Sequence, residues 1–190
     1  ALYGVLTGDG GGAGLTELAR LIRDEGISRF AVGTVEEAQA LREAGFAEEI
    51  LMMRATCIPE ELEVLLEQNA TATVGSLECA TTMDQVAERM GKPFLCHLKI
   101  DTGMGRYGFL PDQLEDMQKV YGLPHLQVTG IYTHFHSAFS SEQDTRAQFA
   151  AFTGVLDKLG AAGYDLGTRH CCNSSAFLKY PEMYLDMVRP

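Results

Sequence analysis

Short apolar runs alternate with amphipathic stretches along the whole chain, at a repeat of about 25 residues. Leu2 to Leu6 form the first run, which ends at Thr7 and passes into the glycine-rich segment Gly8-Asp9-Gly10-Gly11-Gly12-Ala13-Gly14. Leu15, Leu18, Ala19 and Ile22 then recur at helical spacing until Gly26 stops them. Further runs, each predicting a buried strand, lie at 30–32, 50–52, 71–74, 94–100, 128–132, 168–172 and 186–189. The stretches between them predict helices. Thr34 and Glu37 make a capping box around Val35, ahead of Ala38 and Leu41. Pro59 starts a helix carrying Leu62, Leu65 and Leu66. Met83, Val86, Ala87 and Met90 mark another, closed by Gly91, and Leu114 with Met117 opens the next. Phe149, Phe152, Val155, Leu156 and Leu159 share one face of the longest.

Strict alternation of strand and helix predicts parallel strands. Eight strands with six clear helices between them predict an α/β fold, a (β/α)8 TIM-type barrel. A doubly wound open sheet is the competing arrangement. No helix follows the eighth strand before Pro190, so residues 1–190 read as a single barrel domain truncated at its C-terminus.

Charge and composition narrow the function classes. The 190 residues, 46 % of them hydrophobic, suffice for one sizeable core. A net charge of −11 argues against a nucleic-acid or membrane partner. It leaves a small anionic substrate open, because that needs only a local positive site. No apolar run approaches the ~20 residues of a membrane span, and no signal peptide is visible, which predicts a cytoplasmic protein. Cys57, Cys79, Cys96, Cys171 and Cys172 are odd in number and scattered, with no C-x-x-C pattern. They read as reduced thiols rather than as a disulfide framework or a zinc site.

In a (β/α)8 barrel, function collects at the C-terminal ends of the strands. The polar residues here are Thr7, Arg106, His134, His136, Asn173-Ser174-Ser175 and Arg189. The stretch from Leu98 to Gly108 is the most distinctive: an apolar strand stops at Asp101, and three glycines surround Arg106. Glycine lets such a backbone bend tightly. Asn-Ser-Ser after strand seven matches the place where barrel enzymes often hold phosphate, and it reads equally as a turn or helix cap. His97 and His125 read as structural, and His136 as solvated or structural. The histidines and Asp101 lack the further acidic cluster that a metal site needs at the strand ends. The glycine run is neither a P-loop nor a G-x-G-x-x-G, because no Gly-Lys-Ser/Thr follows and Ala13 takes the last glycine position.

Taken in order, these stretches resemble the barrel domain of alanine racemases and related fold-type III pyridoxal-phosphate enzymes. The matching segments are Tyr3-Gly4-Val5-Leu6 with Gly8-Asp9-Gly10 and Gly12, then Phe30-Ala31-Val32 leading to Thr34-Val35-Glu36-Glu37-Ala38. They continue with His97 to Arg106, Gly130-Ile131-Tyr132-Thr133-His134-Phe135, Asn173-Ser174-Ser175-Ala176 and Asp186 to Pro190. The resemblance implies a pyridoxal 5′-phosphate cofactor, a small amino-acid substrate, interconversion of L- and D-alanine, and a homodimer. It implies that His134 lies against the cofactor ring and that Asn173 and Ser174 bind its phosphate. Arg189 would hydrogen-bond the pyridine nitrogen, with His170 orienting it from behind. Arg106 would meet the substrate carboxylate with its bidentate fork.

Two positions depart from the family pattern. The lysine that bonds to the cofactor and acts as one racemisation base falls at Thr7, and a tyrosine beside the phosphate falls at Gly11. Threonine cannot form that bond. Lys99, two residues before Asp101 on the same strand, reads as deeper in the barrel or held in an ion pair, not as a replacement. The family's second base is a tyrosine from a C-terminal β-domain supplied across the dimer. That domain is absent from residues 1–190, which weakens the implied homodimer. Two functions follow. One is a racemase-type domain with impaired chemistry that binds pyridoxal phosphate non-covalently. The other is a non-catalytic regulatory module that keeps a phosphate-ligand pocket.

Overall fold

The apolar runs become eight parallel strands in the computed structural model, which describes residues 1–190. They are β1 (Gly4–Val5), β2 (Arg29–Val32), β3 (Glu49–Met52), β4 (Ala72–Val74), β5 (Phe94–Lys99), β6 (Leu126–Tyr132), β7 (Thr168–Asn173) and β8 (Met187–Arg189). Hydrogen bonding orders them β1-β2-β3 and β4-β5-β6-β7-β8. Single bridges, Leu51 with Thr71 and Leu2 with Val188, join the two ladders on both sides. The ring therefore closes with sequential neighbours throughout, as a barrel and not an open sheet.

The connecting elements are α1 (Thr7–Gly11), α2 (Leu15–Asp24), α3 (Val35–Glu43), α4 (Pro59–Glu67), α5 (Leu77–Met90), α6 (Leu114–Tyr121), α7 (Glu142–Ala161) and α8 (Ser174–Lys179). Thr34 and Glu37 form the expected capping box. Ser76, Ser141 and Asn173 accept first-turn N–H groups of α5, α7 and α8, each satisfying an otherwise orphaned donor.

Alternation along each strand sorts side chains to two sides of this wall. On β2, Phe30 and Val32 join the layer under the helices, while Ala31 clusters with Tyr3, Leu51 and Met187 inside the ring. The outer layer is one continuous core that includes Leu62 and Leu65 of α4, Met83 and Val86 of α5, and Phe152, Val155 and Leu159 of α7. Each such side chain contributes roughly 1.5–3 kcal/mol on burial, so this layer holds the ring together. The interior is polar at Thr73, His97, Lys99, His170 and Arg189, all of them buried.

The glycine-rich segment is a helical turn, not a simple loop. Gly8, Asp9 and Gly10 are left-handed, with φ of 66°, 54° and 63°. An L-residue pays roughly 1–2 kcal/mol for that conformation, which glycine avoids. Asp9 is held there by its carboxylate, which accepts the Leu15 N–H at 2.9 Å. Asn173-Ser174-Ser175 opens a short helix, α8, beyond the six that periodicity reveals, because Asn173 Oδ1 takes the Ala176 N–H at 3.1 Å. The reading of five reduced thiols also needs correction. Cys57 and Cys79 are joined as a disulfide, with Cα atoms 4.7 Å apart. Cys57 follows β3 and Cys79 lies in the first turn of α5, so two neighbouring strand–helix units bring together residues 22 apart in sequence. No helix is long and apolar enough to cross a membrane.

Candidate active site

One cleft opens at the C-terminal ends of the strands. Its first part, about 450 Å³, is lined by Val5, Thr7, Gly33, Met53, Arg54, Arg106, Tyr107, Tyr132 and His134. Its second part, about 350 Å³, is lined by Val5, Met53, His134, Asn173, Ser174, Arg189 and Pro190. Val5, Met53 and His134 belong to both, so the two parts adjoin, and each is of the size that takes a small molecule. Thr7 and Arg106 thus lie at one end, Asn173, Ser174 and Arg189 at the other, and His134 between them. Gly11 lines neither part. It sits on the left-handed turn at φ 67°, with open space where a side chain would project.

The loop after β5 is folded on one carboxylate. Asp101 Oδ1 accepts the N–H groups of Gly103 and Gly105, both at 3.0 Å. This closed turn delivers Arg106, whose guanidinium rests over the Tyr107 ring at 5.0 Å. Arg106 pairs with no carboxylate, whereas Arg54 is committed to Glu61 at 3.0 Å. Arg106 is therefore the cation at that end still free to pair with an anion.

Glu37 holds the loop that carries Thr7. Its Oε1 accepts the N–H of Gly8 at 2.7 Å and of Asp9 at 3.3 Å. Its Oε2 accepts those of Gly33 at 2.8 Å and Thr34 at 3.2 Å. One carboxylate thus ties the turn after β1 to the start of α3. Glycine at 33 eases the close approach, since a Cβ there would come within 3.1 Å of Thr7 Cγ2.

Arg189 anchors the other end from inside the barrel. Its Nη2 donates to the Thr133 carbonyl at 2.9 Å, and its Nη1 donates to His170 Nδ1 at 2.7 Å. An arginine can only donate, so His170 Nδ1 is the acceptor and its proton sits on Nε2. That proton goes to His97 Nδ1 at 3.0 Å, which leaves the His97 proton on Nε2. One buried guanidinium thereby sets both tautomers. Burial, reinforced by the Arg189 charge, pushes His97 down to about 3 and His170 well below its usual range, so both stay neutral. His97, expected to be merely structural, is the far end of this chain. Gly130 leaves room for it, since a Cβ there would lie 2.5 Å from His97 Nε2. The two Arg189 bonds leave its Nε–H uncommitted.

Lys99 lies deep in the barrel as expected, but in no ion pair. Its ammonium donates to the Ile100 and Tyr107 carbonyls at 3.2 and 3.4 Å and lies over the Tyr107 and Tyr132 rings. Burial pulls its pKa from 10.5 down to about 8. Below pH 8 the folded state carries the full cost of that buried charge. As pH rises from 8 to 10.5 the folded lysine is neutral while the unfolded one keeps its proton, so the cost disappears. Lys99→Met should therefore stabilise the chain by about 3 kcal/mol at pH 7 and by only about 1 kcal/mol at pH 10. Urea melts at both pH values check this, and an equal gain at both would contradict it.

Arg54, Tyr107, Tyr132 and Glu37 escape a reading by strand ends alone. Arg54 stands two residues past the end of β3 and Tyr132 closes β6, so a wider window at the strand termini finds both. The capping box signals the local half of the Glu37 clamp, whereas its bonds to Gly8 and Asp9 have no such signal, because those backbone groups lie 29 and 28 residues away.

Comparison with known proteins bears on this geometry. The family model described as alanine racemase, N-terminal domain, matches residues 1–190. The alanine racemase of Desulforamulus reducens is 41 % identical over 194 residues, covering 100 % of this chain and 52 % of that protein. The alanine racemase of Methanococcus maripaludis is 40 % identical over 182 residues, covering 94 % of this chain and 48 % of that protein. Among solved structures, alanine racemase from Clostridium difficile 630 superposes with a TM-score of 0.95 at 32 % identity, over 99 % of this chain and 52 % of that one. The chain spans about half the length of the curated relatives it matches.

Proposed function

Because the chain belongs to the alanine racemase N-terminal domain family, we propose that its cleft binds pyridoxal 5′-phosphate and a small amino acid, without a covalent bond to the cofactor. One observation carries this reading. Arg189 is buried and locked by His170 and Thr133, with Nε–H free on a residue that lines the cleft. Such a donor suits a ring nitrogen that must stay unprotonated. The cleft fits the cofactor otherwise too. Ser174 lines the same end and its hydroxyl has no partner within the chain, so it can donate to a phosphate oxygen. His134 lies between the two ends, where a flat ring would rest against it. Burial, with the Arg189, Arg106 and Lys99 charges, pushes His134 down to about 3, so it meets such a ring as a neutral imidazole. Arg106 faces the far end, within reach of an amino-acid carboxylate.

The covalent anchor does not fit, since Thr7 has no amine. Bound pyridoxal phosphate supplies electron withdrawal from the Cα of an amino acid. The chain's own residues bind and orient: Ser174 the phosphate, Arg189 the ring nitrogen, Arg106 the carboxylate. None stands at Thr7 to take up a proton. We therefore assign a racemase-type domain with impaired chemistry. A cytoplasmic location and a weak homodimer belong to the same proposal, and no nucleic acid or membrane is among its partners.

Titration with pyridoxal 5′-phosphate tests the assignment. Ser174→Asp removes a hydrogen bond to a charged group and adds repulsion, which should weaken binding about 10–100-fold. Unchanged affinity in that variant would refute the phosphate position.

A further inference from the structure

We propose that Cys57 and Cys79 form a thiol–disulfide exchange site on the rim of the cleft, which reacts with low-molecular-weight disulfides of the glutathione class and locks the β3–α4 loop when oxidised. The two Cα atoms, 4.7 Å apart, satisfy the spacing a disulfide needs, and the sulfurs are joined. The two cysteines differ in the way an exchange site requires. Cys57 is exposed on the loop after β3, and Cys79 is buried, at 8 % exposure. Cys79 is the third residue of the 14-residue helix α5, whose Ser76 cap accepts its N–H. The positive end of a helix favours a thiolate there. Cys96, Cys171 and Cys172 are buried and unbonded, so no other thiol competes.

The chemistry balances with one external disulfide. The exposed Cys57 thiolate attacks one sulfur of the small disulfide, whose S–S bond breaks, and a small thiolate leaves. Cys79 thiolate then attacks the Cys57 sulfur and expels the second small thiolate. Two protein thiols are oxidised, one external disulfide is reduced, and the departing thiolates take up the two protons. An excess of small thiol runs the sequence backwards.

The location gives the reaction a target. Met53 directly precedes the loop, and its carbonyl accepts from Tyr107 Oη at 2.7 Å and Tyr132 Oη at 3.0 Å. Arg54, next along, lines the cleft. With the disulfide open, the start of the loop is still held by the two tyrosine bonds and the Arg54–Glu61 pair, while past Thr56 the bond from the Ile58 N–H to Thr56 Oγ1 remains, so the exposed stretch around Cys57 is the part the disulfide fixes.

The test uses the reduced chain, freed of reductant and treated with oxidised glutathione, then mapped by peptide mass. Formation of a Cys57–Cys79 linked peptide is the expected result. Cys79→Ser should accumulate glutathione on Cys57, because the attacking thiol has lost its resolving partner, and Cys57→Ser should stay unmodified at Cys79. Amide hydrogen exchange across 53–58 should be about tenfold slower in the oxidised parent than in the reduced parent. Absence of glutathione on Cys57 in the Cys79→Ser chain overturns the exchange site. Equal exchange across 53–58 in the two redox states of the parent overturns the lock.

Discussion

Given pyridoxal 5′-phosphate and either enantiomer of alanine, residues 1–190 should interconvert L- and D-alanine no faster than the free cofactor does. Racemisation removes the α-proton from one face and returns it on the other, so it needs a base on each side. Thr7 occupies the position implied for one base and offers no usable proton acceptor. The tyrosine implied for the other lies outside these residues. Loss of one general base is typically worth a factor of about 10²–10⁴, and here both are lacking. Thr7→Lys should let borohydride fix the cofactor covalently at residue 7, seen by peptide mapping, without restoring full turnover. Adding Gly11→Tyr is a harder change, because Gly11 sits at φ 67°, where tyrosine costs roughly 1–2 kcal/mol unless the left-handed turn rewinds. Racemisation by the parent above the free-cofactor rate would sink this prediction. Failure of Thr7→Lys to fix cofactor at residue 7 would show that Thr7 does not face the reacting carbon.

Acid should unfold the chain unusually early. Burial, with Arg189 adding to it, holds His97 and His134 near 3, against an ordinary 6.5, and holds His170 well below that value. Between those limits the unfolded chain takes up protons that the folded one refuses. The stability these histidines contribute is complete above pH 6.5 and is lost as pH falls towards 3. At about 1.4 kcal/mol per pH unit, the fall of the fully buried His97 from 6.5 to about 3 is worth on the order of 5 kcal/mol, and His134, which lines the open cleft, adds less. That rivals a typical total stability of about 5–15 kcal/mol, so unfolding is expected near pH 4–5. His97→Leu should cost about 1–3 kcal/mol at neutral pH by stranding the His170 Nε2–H. It should also flatten the fall of stability between pH 6 and 4 by one proton, or about 1.4 kcal/mol per pH unit. Urea melts across that range decide it, and identical slopes for parent and variant would mean that His97 is not a buried neutral imidazole.

The barrel was legible because it rests on local patterns. Apolar runs such as Ile50 to Met52 and Phe94 to Ile100, with helical spacing between them and caps at Thr34 and Pro59, each act within a few residues. The strand-end rule then placed Thr7, Arg106, His134, Ser174 and Arg189 at one mouth, and they do line one cleft. The same reading left His97 as structural and Lys99 open to an ion pair, since neither residue announces what lies across the barrel from it.

What the sequence determined by itself is the order of the elements, the end of the barrel where polar groups gather, and the missing amine at Thr7. Periodicity and residue chemistry need no knowledge of distant neighbours. Tertiary structure alone decided the rest: the Arg189–His170–His97 chain, the Glu37 clamp on Gly8 and Gly33, the Cys57–Cys79 bond, and the left-handed turn on which Gly11 sits. Each depends on closing the ring, which sets side chains from different strands and loops within bonding distance. A hydrogen bond, a disulfide or a buried charge is governed by that distance and by exclusion of water, and neither is written in the local sequence.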